Sequence, residues 1–179
     1  MTYASVVVFL LGILVYRGIS LLRAFGWDVL GFGGVLGRGL ICLLAAYPLL
    51  MLVQAMVYGA SGGNVAPQDV VEFLRSAGSP RDRIAVLVMA IVVAPLAEEL
   101  IFRGYLYPAG KKYLGSFASA LITAALFAVL HGHAASIPAL FTLAVCLALS
   151  YEKTGSLLVP MVMHAVFNAV SVVGILYLM

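Results

Sequence analysis

Long apolar runs separated by short polar intervals set the pattern of this chain. A helix needs about 17 to 25 apolar residues to cross the hydrocarbon core of a bilayer. Six stretches approach that length: 4–24, 38–58, 84–108, 114–132, 137–151 and 156–178. The fifth is the shortest, so it must cross with little tilt or lie partly sheltered by its neighbours. The pattern predicts an all-α, multi-pass transmembrane helix bundle of about six spans, forming a single membrane domain over 1–179. The first run, MTYASVVVFLLGILV, has no basic leader and no small-residue cleavage site after it. It reads as a retained span and not as a signal peptide.

The polar intervals predict connections. Residues 24–38, FGWDVLGFGGVLGRG, are Gly-rich, follow no strand and match no phosphate loop. They read as a flexible interfacial connection with Trp27 at the membrane edge. The longest polar interval is 59–83. Its GASGGN is a loop, and APQDVVEFLRSA then sets Val70, Val71, Phe73 and Leu74 beside Asp69, Glu72 and Arg75. That mixture predicts a short surface helix over 66–77 lying on the membrane.

Composition makes the bilayer the solvent. The chain is 64% hydrophobic and 9% charged, with a mean hydropathy of +1.15, whereas a soluble domain carries about 25% charge. The net charge of +3 contains no lysine- and arginine-rich run, so nucleic acid is not an expected partner. Basic residues near span ends orient the bundle. Arg23, Arg38, Lys111, Lys112 and Lys153 fall on one face, against Arg75, Arg81 and Arg83 on the other. The first face is expected in the cytoplasm, with both termini outside. Cys42 and Cys146 lie in apolar segments without CxxC spacing and read as core or lipid-facing residues.

Against this background, APLAEELIFRG at 94–104 is anomalous. An ionisable residue at the bilayer centre costs about 2.5–3.5 kcal/mol, so Glu98, Glu99 and Arg103 must face other helices or trapped water. Glu99 and Arg103 stand one helical turn apart on a shared face and can pair. Glu98 is rotated by about 100° and is left available for chemistry. Two other spans bring polar groups of catalytic type: His131 in LFAVLHGH, and His164 with Asn168 on one face of MVMHAVFNAV. His133 points away from His131 at the span end and is expected to be a bystander. At about 1.5 Å per residue, Glu98, His164 and Asn168 lie at similar depths, about 12–18 Å from the cytoplasmic ends of their spans. His131 comes out at about 25 Å from residue 114 and joins them only if its helix starts nearer Ser119 or tilts.

These residues resemble a known family, the CAAX-processing and bacteriocin-processing (CPBP, or Abi) intramembrane proteases, which include the type II CAAX prenyl endopeptidases. Glu98, Glu99 and Arg103 match its Glu-Glu-x-x-x-Arg motif, with Ala94, Pro95, Phe102 and Gly104 matching the flanks. Phe127 and His131 match Phe-x-x-x-His, and His164 and Asn168 match His-x-x-x-Asn. The similarity covers about 83–178, which is then the catalytic core. All three motifs occur in order on hydrophobic helices, a specific combination.

The resemblance implies an intramembrane endopeptidase acting on a membrane-associated protein or peptide, with or without a prenyl group, and the short chain of about six spans fits a prokaryotic cytoplasmic membrane. Hydrolysis needs a base for water and donors for the oxyanion. A carboxylate removed from water is a stronger base than one in water, and Glu98 is assigned that part. His131 would share or position the same water. His164 and Asn168 would stabilise the oxyanion, while Glu99, Arg103 and Phe127 support them. Zinc is the alternative: Glu98, His131 and His164 would then be its ligands and the other glutamate the base. No His-Glu-x-x-His helix is present, and a cofactor-free, glutamate-type mechanism is preferred. A non-catalytic membrane immunity or scaffold protein is the reading from another class, but such a protein would be expected to have lost a motif residue. A small proton-relay transporter would show paired broken helices in symmetric halves, and the sequence has no such pairing.

Overall fold

The computed structural model describes residues 3–63, 73–74 and 78–178. Among these it is all helical. In chain order the α-helices are α1 Tyr3–Tyr16, α2 Leu21–Ala24, α3 Phe32–Ala60, α4 Pro80–Val88, α5 Ala94–Ile101, α6 Tyr107–Leu130, α7 Ile137–Thr154 and α8 Leu158–Leu178. Three continuous helical stretches are long and apolar enough to cross a membrane: Phe32–Ala60, Pro80–Leu130 and Ala134–Thr154. Ser5–Tyr16 and Leu158–Gly174 are shorter apolar helices. Large apolar side chains such as Phe9, Ile41, Leu44 and Phe117 are exposed, as the outer face of a bundle in hydrocarbon requires.

Glycines decide where the observed spans depart from the expected ones. The first span does not run unbroken from 4 to 24. Its helix stops at Tyr16, and Gly18 turns the chain in the left-handed region at φ +69°. The Gly-rich connection is shorter than expected, because Gly33, Gly34 and Gly37 lie inside α3. The preceding turn is instead pinned to the far end of the chain. Gly26 sits so close to the α7–α8 turn that a Cβ there would lie 1.8 Å from the Gly155 carbonyl, and Leu157 N–H donates to Phe25 O. Of the surface helix expected over 66–77, only Phe73 and Leu74 fall within the described residues. Asp69, Glu72 and Arg75 lie outside them.

The third and fourth spans form one helical stretch folded at Gly115, where φ +78° and ψ 168° leave the helical region. Ser119 then packs back on the earlier arm: its hydroxyl donates to Tyr107 O at 2.8 Å, against Gly110. This contact sets the levels of the two arms. Counted from it at about 1.5 Å per residue, Glu98 lies about 14 Å up one arm and His131 about 18 Å up the other. The depth mismatch read from residue 114 thus shrinks to about 4 Å.

Prolines shape the arm that carries the acids. Pro95 and Pro108 each follow a five-residue π-helical turn, Met89–Val93 and Phe102–Leu106. A proline has no N–H to donate and its ring crowds the carbonyl four residues back. Those carbonyls belong to Ile91 and Gly104, in the middle of the two π turns. The wider turn relieves the crowding, and it places an irregular stretch on each side of α5.

Close packing holds the rest. Val35, Gly39, Leu43, Ala46 and Leu50 make the buried stripe of α3. A Cβ at Gly39 would lie 2.7 Å from the Val162 side chain of α8, the small-residue approach that lets membrane helices touch. Leu43, Ala46 and Leu50 pack with Leu143, Leu147 and Met163 in one core. Phe102, Phe127, Ala124 and Ala144 make another beside the polar centre.

Candidate active site

The helix α5 carries Glu98 and Glu99 one residue apart, both buried. Arg103 follows in the second π turn and is 1% exposed. A guanidinium so completely removed from water must be neutralised and hydrogen-bonded. It is: Nη1 donates to Glu99 Oε1 at 2.8 Å, and Nη2 donates to the Ala144 carbonyl of α7 at 2.9 Å. The guanidinium also stands 5.0 Å from the centre of the Phe127 ring. The pairing expected from the one-turn spacing is therefore present.

Glu99 has a second partner. His164, buried on α8, places Nδ1 2.8 Å from the same Oε1. Its other nitrogen, Nε2, faces Glu98 Oε2 at 3.8 Å. One imidazole therefore bridges the two adjacent acids. The second oxygen of Glu99, Oε2, is buried without a protein partner.

His131 ends α6 and is half-buried. Its Nδ1 lies 2.7 Å from the Phe127 carbonyl one turn back. A carbonyl only accepts, so Nδ1 carries the proton and the neutral ring has its lone pair on Nε2. Both His131 and His164 lie near enough to Glu98 to interact with it electrostatically. Phe127, fully buried, touches both, with ring centres 4.6 Å from His131 and 5.7 Å from His164. Phe102 stacks edge-on to Phe127 at 5.2 Å.

Asn168 stands one turn beyond His164 and is half-buried. Its amide donates to the Ala90 carbonyl at 2.8 Å, in the first π turn. The structure thus gathers Glu98, Glu99, Arg103, Phe127, His131 and His164 around one point. It sets Asn168 beside them, against the arm that leads to α5. His133 is turned to Ser136, 2.8 Å from its hydroxyl. The Ala144 and Ala90 carbonyls are polar partners that no side-chain motif announces.

Among the described residues, no three of His, Cys, Asp or Glu are grouped to hold an ion. His164 Nδ1 and His131 Nδ1 are each taken by an oxygen of the protein. These contacts leave Nε2 of each ring as the nitrogen that can meet a water or an ion.

An apolar cavity of about 370 Å³ lies between the start of α3, α5 and α8. Trp27, Val35, Leu96, Met161 and Ala165 are among the residues that line it. Leu96 and Ala165 are close neighbours in sequence of Glu98 and His164, so the cavity borders both helices of the polar centre.

A second polar cluster was not anticipated. Glu152, near the end of α7, accepts from Tyr107 at 2.8 Å and pairs with Lys111, with Ser116 at 3.4 Å. The one available signal was that Glu152 is the single acid after residue 99. It joins both sides of the Gly115 fold to α7.

Comparison with known proteins identifies the family. A family model described as type II CAAX prenyl endopeptidase Rce1-like matches residues 80–170. The chain is 24% identical over 155 residues to the membrane-embedded CAAX protease MroQ of Staphylococcus aureus (strain USA300), a match covering 82% of this chain and 56% of that protein. The chain therefore spans about half the length of this curated relative. No solved structure matches.

Proposed function

The chain belongs to the Rce1-like family of type II CAAX prenyl endopeptidases, and from that premise we propose that it is an intramembrane endopeptidase. It hydrolyses a peptide bond of a membrane-associated protein or peptide. The observation that carries this reading is the bridge of His164 between Glu98 and Glu99, buried where a polar group needs a purpose or a partner.

Glu98 is the base that takes a proton from water. His131 orients that water through Nε2, the nitrogen left with a lone pair by the bond to Phe127 O. Attack on the scissile carbonyl develops an oxyanion. Asn168 supplies a donor to it, because its amide carries a second N–H beside the one given to Ala90. His164 supplies the other. Glu99, Arg103 and Phe127 hold these groups in place. The apolar cavity beside α5 and α8 suits the non-reacting hydrocarbon of a membrane substrate, whether apolar side chains or a prenyl group.

The test uses the purified full chain in bilayers, with matched prenylated and unprenylated peptides. Glu98→Gln is expected to lower the cleavage rate by about 10²–10⁴-fold, and wild-type cleavage is expected to survive a strong chelator. Cleavage by Glu98→Gln at the wild-type rate would sink the assignment. Loss of wild-type activity on chelation, restored by zinc, would replace it with the metal-dependent scheme using Glu98, His131 and His164.

A further inference from the structure

Glu99 was expected to do no more than neutralise Arg103. Its position supports a larger part. Arg103 Nη1 donates to Glu99 Oε1, which fixes that oxygen as an acceptor. The His164 nitrogen at 2.8 Å from the same oxygen must then be the donor. So the neutral imidazole carries its proton on Nδ1, and Nε2, facing Glu98 Oε2 at 3.8 Å, carries the lone pair. Glu99 cannot easily turn away. It is fully buried, its partner Arg103 is itself held by Ala144 O, and the Phe127 ring packs against the His164 ring.

We infer that Glu99 is a positioning residue that fixes His164 in the Nδ1–H form, so that His164 Nε2 receives the proton Glu98 takes from water and hands it to the leaving amine. This rests on the proposed hydrolysis and deepens it. A neutral Nε2 with a lone pair cannot donate to an oxyanion. It becomes a donor only after it is protonated, which coincides with the moment the oxyanion forms. The step balances. The water oxygen bonds to the carbonyl carbon while one water proton passes to Glu98 and on to Nε2. The imidazolium, facing the Glu99 carboxylate, then releases that proton to the amide nitrogen as the C–N bond breaks. That transfer returns His164 to its neutral form, with Glu98 already ionised, and the new carboxylic acid gives up the second water proton to solvent.

The first measurement needs no substrate. Nitrogen-15 NMR of the full chain in bilayers, with labelled histidine, separates the two neutral forms of each ring. His131→Gln and His133→Gln identify the His164 signals by subtraction. The expected result is a protonated Nδ1 and an unprotonated Nε2 at His164. The opposite form in the wild-type protein overturns the inference, whatever the variants do. The second measurement is Glu99→Gln, whose amide can donate to Nδ1 and so permit the other form. A mixed or inverted His164 signal is expected, with kcat lowered by up to about 10⁴-fold and KM unchanged, the scale set by a wrong-tautomer substitution in a hydrolytic triad. If Glu99→Gln does not fold, Glu99→Gln combined with Arg103→Gln removes both charges together and serves in its place. A wild-type His164 spectrum and wild-type kcat in either variant overturn the inference. Failure of the wider reading is separate: it is read from Glu98→Gln, which leaves the Glu99–His164 contact in place.

Discussion

Two glutamates gather donors in this bundle, Glu99 at its centre and Glu152 at its edge, and their surroundings differ more than their chemistry. Each takes a cation from the helical stretch 80–130 and a further partner: Arg103 and His164 for Glu99, Lys111 and Tyr107 for Glu152. The side chain of Glu99 is fully buried, whereas that of Glu152 is 36% exposed and its lysine 43%. In the interior a charge that loses its partner has no water to replace it. At the edge it is simply rehydrated. The centre should therefore behave as one unit, and the edge as separable contacts.

The largest stability effect expected is at Arg103. Arg103→Met leaves Glu99 buried with only His164 beside it and should destabilise the protein by about 3–5 kcal/mol. Unfolding in mixed detergent micelles, followed by circular dichroism, measures this. Adding Glu99→Met to Arg103→Met should recover much of that stability, since no charge is then stranded, yet the double variant should stay inactive. A double variant as unstable as the single one would break the comparison, because it would show that packing and not charge governs the centre.

Packing has its own test, of intermediate size. Gly39→Val on α3 drives a side chain into Val162 of α8, two residues before His164. Overpacking of this kind costs about 1–3 kcal/mol. Because α8 must shift, the His164–Glu99 contact should loosen and cleavage should fall along with stability. A stable Gly39→Val protein with unchanged cleavage would mean that α8 is free to slide without disturbing the site.

What could be read from the sequence follows the same division between local and long-range structure. The helical membrane class was legible because composition alone decides which solvent the chain needs. The Glu99–Arg103 pair was legible because a four-residue spacing in a helix is local geometry. The placement of Gly18 and of Gly33, Gly34 and Gly37 was not, since glycine serves equally in a turn and at a close helix contact, and only the neighbour decides. The second partner of Glu99 was hidden for another reason. His164 lies 65 residues away, and no periodicity reports which oxygen of a distant acid an imidazole will meet. The fold at Gly115 likewise looked like two span ends, and its register became fixed only through Ser119 on Tyr107.

The smallest effect is expected at Glu152, and it probes the other half of the comparison. Glu152→Gln removes the charge paired with Lys111 but keeps an oxygen that can accept from Tyr107. Exposed pairs of this kind contribute about 0–1 kcal/mol and weaken with salt. Stability should fall by no more than that, the loss should shrink as salt is raised, and cleavage should be unchanged. The cluster nonetheless ties both sides of the Gly115 fold to α7, the helix whose Ala144 carbonyl holds Arg103. A large loss of cleavage in Glu152→Gln, with stability intact, would therefore mean that the edge cluster sets the register of the two arms that carry Glu98 and His131. The distinction between a cooperative centre and a separable edge would then have to be given up.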